Sequence, residues 1–206
     1  MGAIGLGAGV EASYCRPGDT YRFYEINPEV VKIANSEFTF LKDCPGQLDV
    51  LLGDARLTLE GQPPQDFDLL AVDAFSGDAI PVHLVTREAF LEYFRHLKSD
   101  GIVAVHVSNK YLDLVPVVAG IAESLHKSAI VVYDAAPEGS YLAANDWVLV
   151  AGKPEIFGDP IFHVDSVEDA HSQPRIRLWT DDYSNLLQIL NLNKVKEEQE
   201  DNSENQ

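Results

Sequence analysis

Ala3-Ile4-Gly5-Leu6-Gly7-Ala8-Gly9 opens the chain, an apolar stub running straight into three alternating glycines. A strand that must turn sharply into a helix, with its backbone passing close to a ligand, has no room for a Cβ, and glycine is the residue that tolerates both demands. The acidic strand end Tyr24-Glu25 follows at the spacing of a nucleoside-binding βαβ unit. There a carboxylate is placed to accept hydrogen bonds from ribose hydroxyls. A strained turn without a ligand is the bland reading of the glycines alone; the glycines and the acid together point to a nucleoside.

The spacing of the glycines separates two cofactors. A dinucleotide fingerprint reads G-x-G-x-x-G, with its third glycine letting the helix pack around a pyrophosphate, and the matching position here is Val10. The G-x-G-x-G form argues against NAD. It resembles motif I of the class I S-adenosylmethionine-dependent transferases, with Gly5, Gly7 and Gly9 as cofactor-binding positions.

Outward from the loop, apolar runs alternate with amphipathic ones. Thr20 to Ile26 is a strand followed by Asn27 as N-cap and Pro28 as first helical residue, with Val30, Val31, Ile33 and Ala34 as the apolar face. Leu48 to Leu52 and Phe67 to Val72 are short uninterrupted runs that predict central strands, and they end at Asp54 and Asp73. Thr86 to Leu97 predicts a helix, Gly101 to Val107 a strand, and Leu112 to His126 a helix despite Pro116. Ala129 to Tyr133 and Trp147 to Ala151 are two closely connected strands, residues 152 to 178 an irregular cover, and Asp182 or Ser184 the cap of a last short helix. The alternation implies an α/β fold: a doubly wound, mostly parallel, Rossmann-like sheet with an antiparallel edge. Residues 1–190 form a single domain in this reading, and 191–206 an acidic tail whose composition cannot bury a core.

The 206 residues, 46% hydrophobic, suffice for one α/β domain with a buried sheet. No apolar run reaches the roughly 18 residues of a membrane span, and no signal peptide is visible. Cys15 and Cys44 have neither metal nor redox spacing, and read as reduced thiols of a cytoplasmic protein. Six scattered histidines give no support for a metal. The formal net charge of -18 repels nucleic acid and anionic membrane; beyond solubility, it attracts a cationic amine.

In open parallel sheets ligands lie beyond the carboxyl ends of the strands. Glu25, Asp54, Asp73 and His106 stand there. Three carboxylates at one rim repel one another and call for compensating partners, which a ribose, an adenine amino group and an ammonium would supply. For any one of them a turn or N-cap role is the simpler reading, and Asp54 before Ala55-Arg56 is the clearest example. His106 reads as a hydrogen-bonded rim residue or a base.

The order of Gly5-Leu6-Gly7-Ala8-Gly9, Glu25-Ile26-Asn27-Pro28, Gly53-Asp54-Ala55-Arg56 and Phe67 to Asp73 resembles the spermidine synthase family of aminopropyltransferases over most of residues 1 to 151. The string Asp73-Ala74-Phe75-Ser76-Gly77-Asp78-Ala79-Ile80-Pro81 is similar to that of spermidine synthase-like domains, including those attached to transporter-like segments. The resemblance implies transfer of an aminopropyl group from decarboxylated S-adenosylmethionine to a diamine such as putrescine. It assigns Glu25 to the ribose, Asp54 and Ala55 to the adenine, Asp73 to catalysis and Asp78 to the amine. Tyr141, Trp147, Trp179 and Tyr183 are candidate amine-stacking residues, Tyr141 foremost from its place between the last two strands, though such aromatics more often belong to the core. Three departures stand against a full transfer of activity: the longer loop from Asp73 to Pro81, the strand end His106-Val107-Ser108-Asn109, and the absence before Gly5 of the family's N-terminal β-hairpin domain. A methyltransferase using intact S-adenosylmethionine and a non-catalytic nucleoside-binding domain remain open, as does the oligomeric state, a homodimer included.

Overall fold

The computed structural model describes residues 1–74, 81–135 and 144–191. Asp78, Tyr141 and all but the first residue of the acidic tail 191–206 lie outside them. Eight strands form one sheet in the order β3-β2-β1-β4-β5-β7-β6-β8. The strands are β1 (Gly2–Ile4), β2 (Thr20–Glu25), β3 (Gln47–Leu52), β4 (Phe67–Val72), β5 (Leu97–His106), β6 (Ser128–Asp134), β7 (Asn145–Ala151) and β8 (Val167–Asp169). β1 to β5 pair in parallel, β7 enters antiparallel between β5 and β6, and β8 closes the edge antiparallel to β6.

Helices cover both faces, and strand alternation sorts the core between them. Ile4, Tyr24, Leu70 and Val72 point to one side, where they meet Leu59 of α3 (Ala55–Glu60), Phe90 and Tyr93 of α4 (Arg87–His96) and Val118 and Ile121 of α5 (Val115–Ser124). Ala3, Phe23 and Ala71 point to the other, against Ala34 of α1 (Pro28–Glu37), with Leu41 of α2 (Phe40–Asp43) packed alongside. The central strands β1 and β4 thus bury both faces, as a doubly wound parallel sheet requires.

Several boundaries differ from the sequence expectation for identifiable reasons. β3, expected as a central strand, is an edge strand, and its alternating half-exposed residues reflect a strand with one neighbour. In α1 only Ala34 is buried, and Ile33 is exposed. α5 starts at Val115, so Pro116 occupies the first turn, where its missing N–H is harmless. The last helical turn, Leu186–Ile189, is capped by Asn185, which accepts from the Leu187 N–H at 3.0 Å, and neither Asp182 nor Ser184 does so. Within the irregular cover, Val167–Asp169 contributes strand β8, too short to show a period.

The cysteine reading is overturned. Cys15 and Cys44 form a disulfide, with Cα atoms 5.3 Å apart, which removes the thiol argument for a reducing compartment. The bridge ties the 3-10 turn Val10–Tyr14, just after the glycine loop, to the end of α2. Among the described residues no helix is long and apolar enough to cross a membrane.

Candidate active site

A cavity of about 750 Å³ opens at the carboxyl ends of β1, β2, β3 and β4. Its floor is the glycine loop. Gly5 has φ +98°, and a Cβ there would stand 2.2 Å from the Asp73 carbonyl oxygen, so the loop and the end of β4 touch backbone to backbone. Gly7, at φ +51°, faces open space. Both positions therefore need glycine, the first for contact and the second for its left-handed backbone.

Glu25 is 8% exposed at the end of β2 and holds the loop in place. One of its carboxylate oxygens accepts from the Leu6 N–H at 3.0 Å and the other from the Asn27 N–H at 2.8 Å. An ionised carboxylate has about four acceptor sites, so each oxygen keeps capacity for a ligand hydroxyl. Asp54 takes the N-cap role expected of it, with Oδ1 accepting from the Leu57 N–H at 2.9 Å. Its Oδ2 meets His83 Nε2 at 3.0 Å. Ala55 begins α3 and lines the cavity beside it.

Asp73 follows β4. Its Oδ1 accepts from His106 Nδ1 at 2.8 Å, while its side chain remains 37% exposed. Trp147 of β7 lines the cavity and stacks on the His106 ring, with centroids 5.1 Å apart and planes 29° from parallel. Of the other aromatic candidates, Trp179 is fully buried in the core and Tyr183 lies under the Arg177 guanidinium.

Glu11 also lines the cavity, and sequence reasoning missed it. It sits in the first turn of the 3-10 segment that the disulfide anchors, and only the folded loop brings it toward Asp73. Burial pushes its carboxyl above the usual carboxylate range, and the charge of Asp73 acts in the same direction. Burial also raises the Tyr24 hydroxyl to about 12. Glu11, Glu25, Asp54 and Asp73 all line the cavity, and no lysine or arginine does among the described residues. Arg56 of α3 grips Asp181 through two hydrogen bonds at 2.6 and 2.5 Å, and Asp181 also accepts from the Thr86 hydroxyl and donates its N–H to Glu88, so the C-terminal segment is strapped to α3 and α4. That pairing raises Arg56 and lowers Asp181.

A doubly wound sheet with a glycine loop at the end of β1 and acids at the ends of β2 and β4 is the Rossmann-like arrangement of class I methyltransferase-type folds. A spermidine synthase from Thermotoga maritima has this fold, with a TM-score of 0.57 at 14% identity over 88% of this chain and 62% of that one. So does a probable spermidine synthase from Corynebacterium glutamicum, with a TM-score of 0.59 at 17% identity over 90% of this chain and 73% of that one. In sequence the chain resembles the polyamine aminopropyltransferases. It is 35% identical over 108 residues to the polyamine aminopropyltransferase of Vibrio vulnificus, covering 50% of this chain and 36% of that protein. It is also 32% identical over 108 residues to the N-terminal histidine N-methyltransferase of Emericella nidulans, covering 50% of this chain and 19% of that protein. The matched region is thus about a third or less of these relatives' length. No family model matches the chain.

Proposed function

We propose that the chain binds decarboxylated S-adenosylmethionine at the glycine loop and transfers its aminopropyl group to a diamine such as putrescine. The observation that carries this reading is the cavity's charge: four carboxylates and no lysine or arginine among its described lining residues. A cosubstrate bearing a sulfonium and an ammonium suits that wall; one that kept its carboxylate would meet repulsion with no cationic side chain to offset it. The similarity to a polyamine aminopropyltransferase supports the same reading.

Each acid has a separate task. Glu25 accepts ribose hydroxyls while it holds the loop, and Asp54 and Ala55 flank the adenine. Asp73 orients the attacking amine. The reaction is an in-line displacement in which the amine nitrogen forms a bond to carbon as the carbon–sulfur bond breaks, and a neutral thioether leaves. An alkylamine with a pKa of about 10.4 is mostly protonated at neutral pH and must lose a proton to attack. Asp73 accepts that proton as the bond forms, which combines positioning with general-base work. The negative charge of Asp73 also favours the protonated amine, and partial desolvation in the cavity offsets that preference.

Methyl transfer from intact S-adenosylmethionine is the second reading, favoured by the similarity to a histidine N-methyltransferase. Calorimetry with the two sulfonium nucleosides, followed by turnover with putrescine, separates them. Tighter binding of the decarboxylated form and release of methylthioadenosine are expected. Preference for the carboxylated form would select the methyltransferase, and failure of both to bind would remove both readings.

A further inference from the structure

Asp73 and His106 come together because β4 and β5 run in parallel register, with Val72 opposite Val105 and each residue one step beyond its strand partner. A carboxylate at a strand end that is 37% exposed retains rotational freedom about its side chain. Here that freedom is removed from one side. His106 is 19% exposed in its side chain, and the antiparallel pairing of His106 with Trp147 across β5 and β7 supplies the ring stack that fixes the imidazole plane. Trp147 is a cavity wall, so the stack joins the wall to the acid. The imidazole nitrogen facing the carboxylate is Nδ1, and against an ionised Asp73 it is the protonated one. Oδ2 of Asp73 has no hydrogen-bond partner among the described residues.

We infer that His106 is a positioning residue for Asp73: its Nδ1–H holds Oδ1 so that Oδ2 points at the amine nitrogen as that nitrogen attacks. This rests on the reading of Asp73 as the amine-handling carboxylate. The proton leaving the amine goes to Oδ2, and the Nδ1–H stays where it is. His106 contributes geometry and does not itself touch the substrate. The arrangement differs from that of Glu25, whose oxygens are oriented by backbone N–H groups. An acid that follows a strand and faces a cavity lacks such donors, and a side chain from the next strand takes their place.

Two substitutions separate orientation from filling. His106→Phe keeps a ring against Trp147 and removes the donor; His106→Asn keeps an amide N–H where Nδ1 stood and removes the ring. Assayed with decarboxylated S-adenosylmethionine and putrescine, His106→Phe is expected to lower kcat about tenfold to a hundredfold, the scale of a misplaced reacting group. Nucleoside affinity by calorimetry stays within about twofold, since no nucleoside contact is assigned to His106. His106→Asn recovers most of kcat. The imidazole nitrogen shifts of the unaltered protein report an Nδ1-protonated ring, and Asp73→Asn shifts that tautomer balance. Unchanged kcat in His106→Phe overturns the inference, as does an Asn variant no better than the Phe variant or a ring protonated only at Nε2. If the unaltered chain neither binds nor turns over the diamine, the amine reading of Asp73 falls and this inference falls with it. Activity in the unaltered chain that His106→Phe leaves intact removes the inference alone.

Discussion

Glu25 and Asp73 stand at the ends of parallel strands on one cavity, yet they are built differently. Glu25 is buried and held at both oxygens by main-chain N–H groups of the loop and of the turn into α1. Asp73 is partly exposed and held at one oxygen by the His106 side chain. The first carboxylate is part of the scaffold, and a ligand hydroxyl would add to bonds that already fix both of its oxygens. On the proposed reading the second keeps one oxygen for chemistry, and the cavity has a fixed end for a constant nucleoside and a reactive end for the acceptor.

The sharpest way to break this contrast is Asp73→Asn. Turnover with a diamine is expected to fall by about a hundredfold or more, the usual effect of losing a general base, while nucleoside affinity holds. Unchanged turnover would reduce Asp73 to a rim residue. Glu25→Gln should act in the opposite pattern. Its new NH₂ faces one of two buried N–H donors, which costs about 1–3 kcal/mol. A fall in melting temperature and a roughly tenfold loss of nucleoside affinity are expected, with kcat at saturation little changed. Equal effects on kcat from both substitutions would erase the distinction between the two ends.

Glu11 supplies the smallest and most diagnostic effect. Its carboxyl is raised in the folded state, so the fold binds its proton more readily than the unfolded chain does. Stability from this group is therefore lost as pH rises from the unfolded value of about 4.3 through the raised folded value, and at neutral pH the penalty is fully present. Glu11→Gln should raise stability at neutral pH by up to about 1 kcal/mol, discounted for the solvent that still reaches the group. The gain should vanish below about pH 3, where both states are protonated. A thermal melt at the two pH values checks it. A gain of equal size at both would show that charge is not the cause.

Much of the scaffold was legible because its signals are local. The glycines, the Asn27 and Asp54 caps and the uninterrupted run of β4 all sit within a few residues of the structure they specify. The contacts that escaped join distant segments. Arg56 meets Asp181 across 125 positions, Cys15 meets Cys44 across 29, and β8 exists only because the edge of β6 was open to pairing. Periodicity cannot report such meetings. Glu11 was missed for the same reason: nothing in Val10-Glu11-Ala12 shows that the turn swings toward the end of β4. Trp179 shows the reverse, an aromatic weighed as a ligand contact that packs wholly inside the core.

The disulfide divides the molecule in another way. The segment it closes contains β2, Glu25 and α1, so the carboxylate that anchors the fixed end sits on one covalent loop, while the glycine loop, Asp54, Asp73 and His106 lie outside it. Reduction returns to the unfolded chain an entropy worth about 3.6 kcal/mol in the loop-closure account for a separation of 29 residues. Amide hydrogen exchange followed with and without reductant would then read the two ends as separate units. The β2 amides would gain protection from oxidation against sub-global opening of that loop, and those of β5 would register the bridge only through complete unfolding.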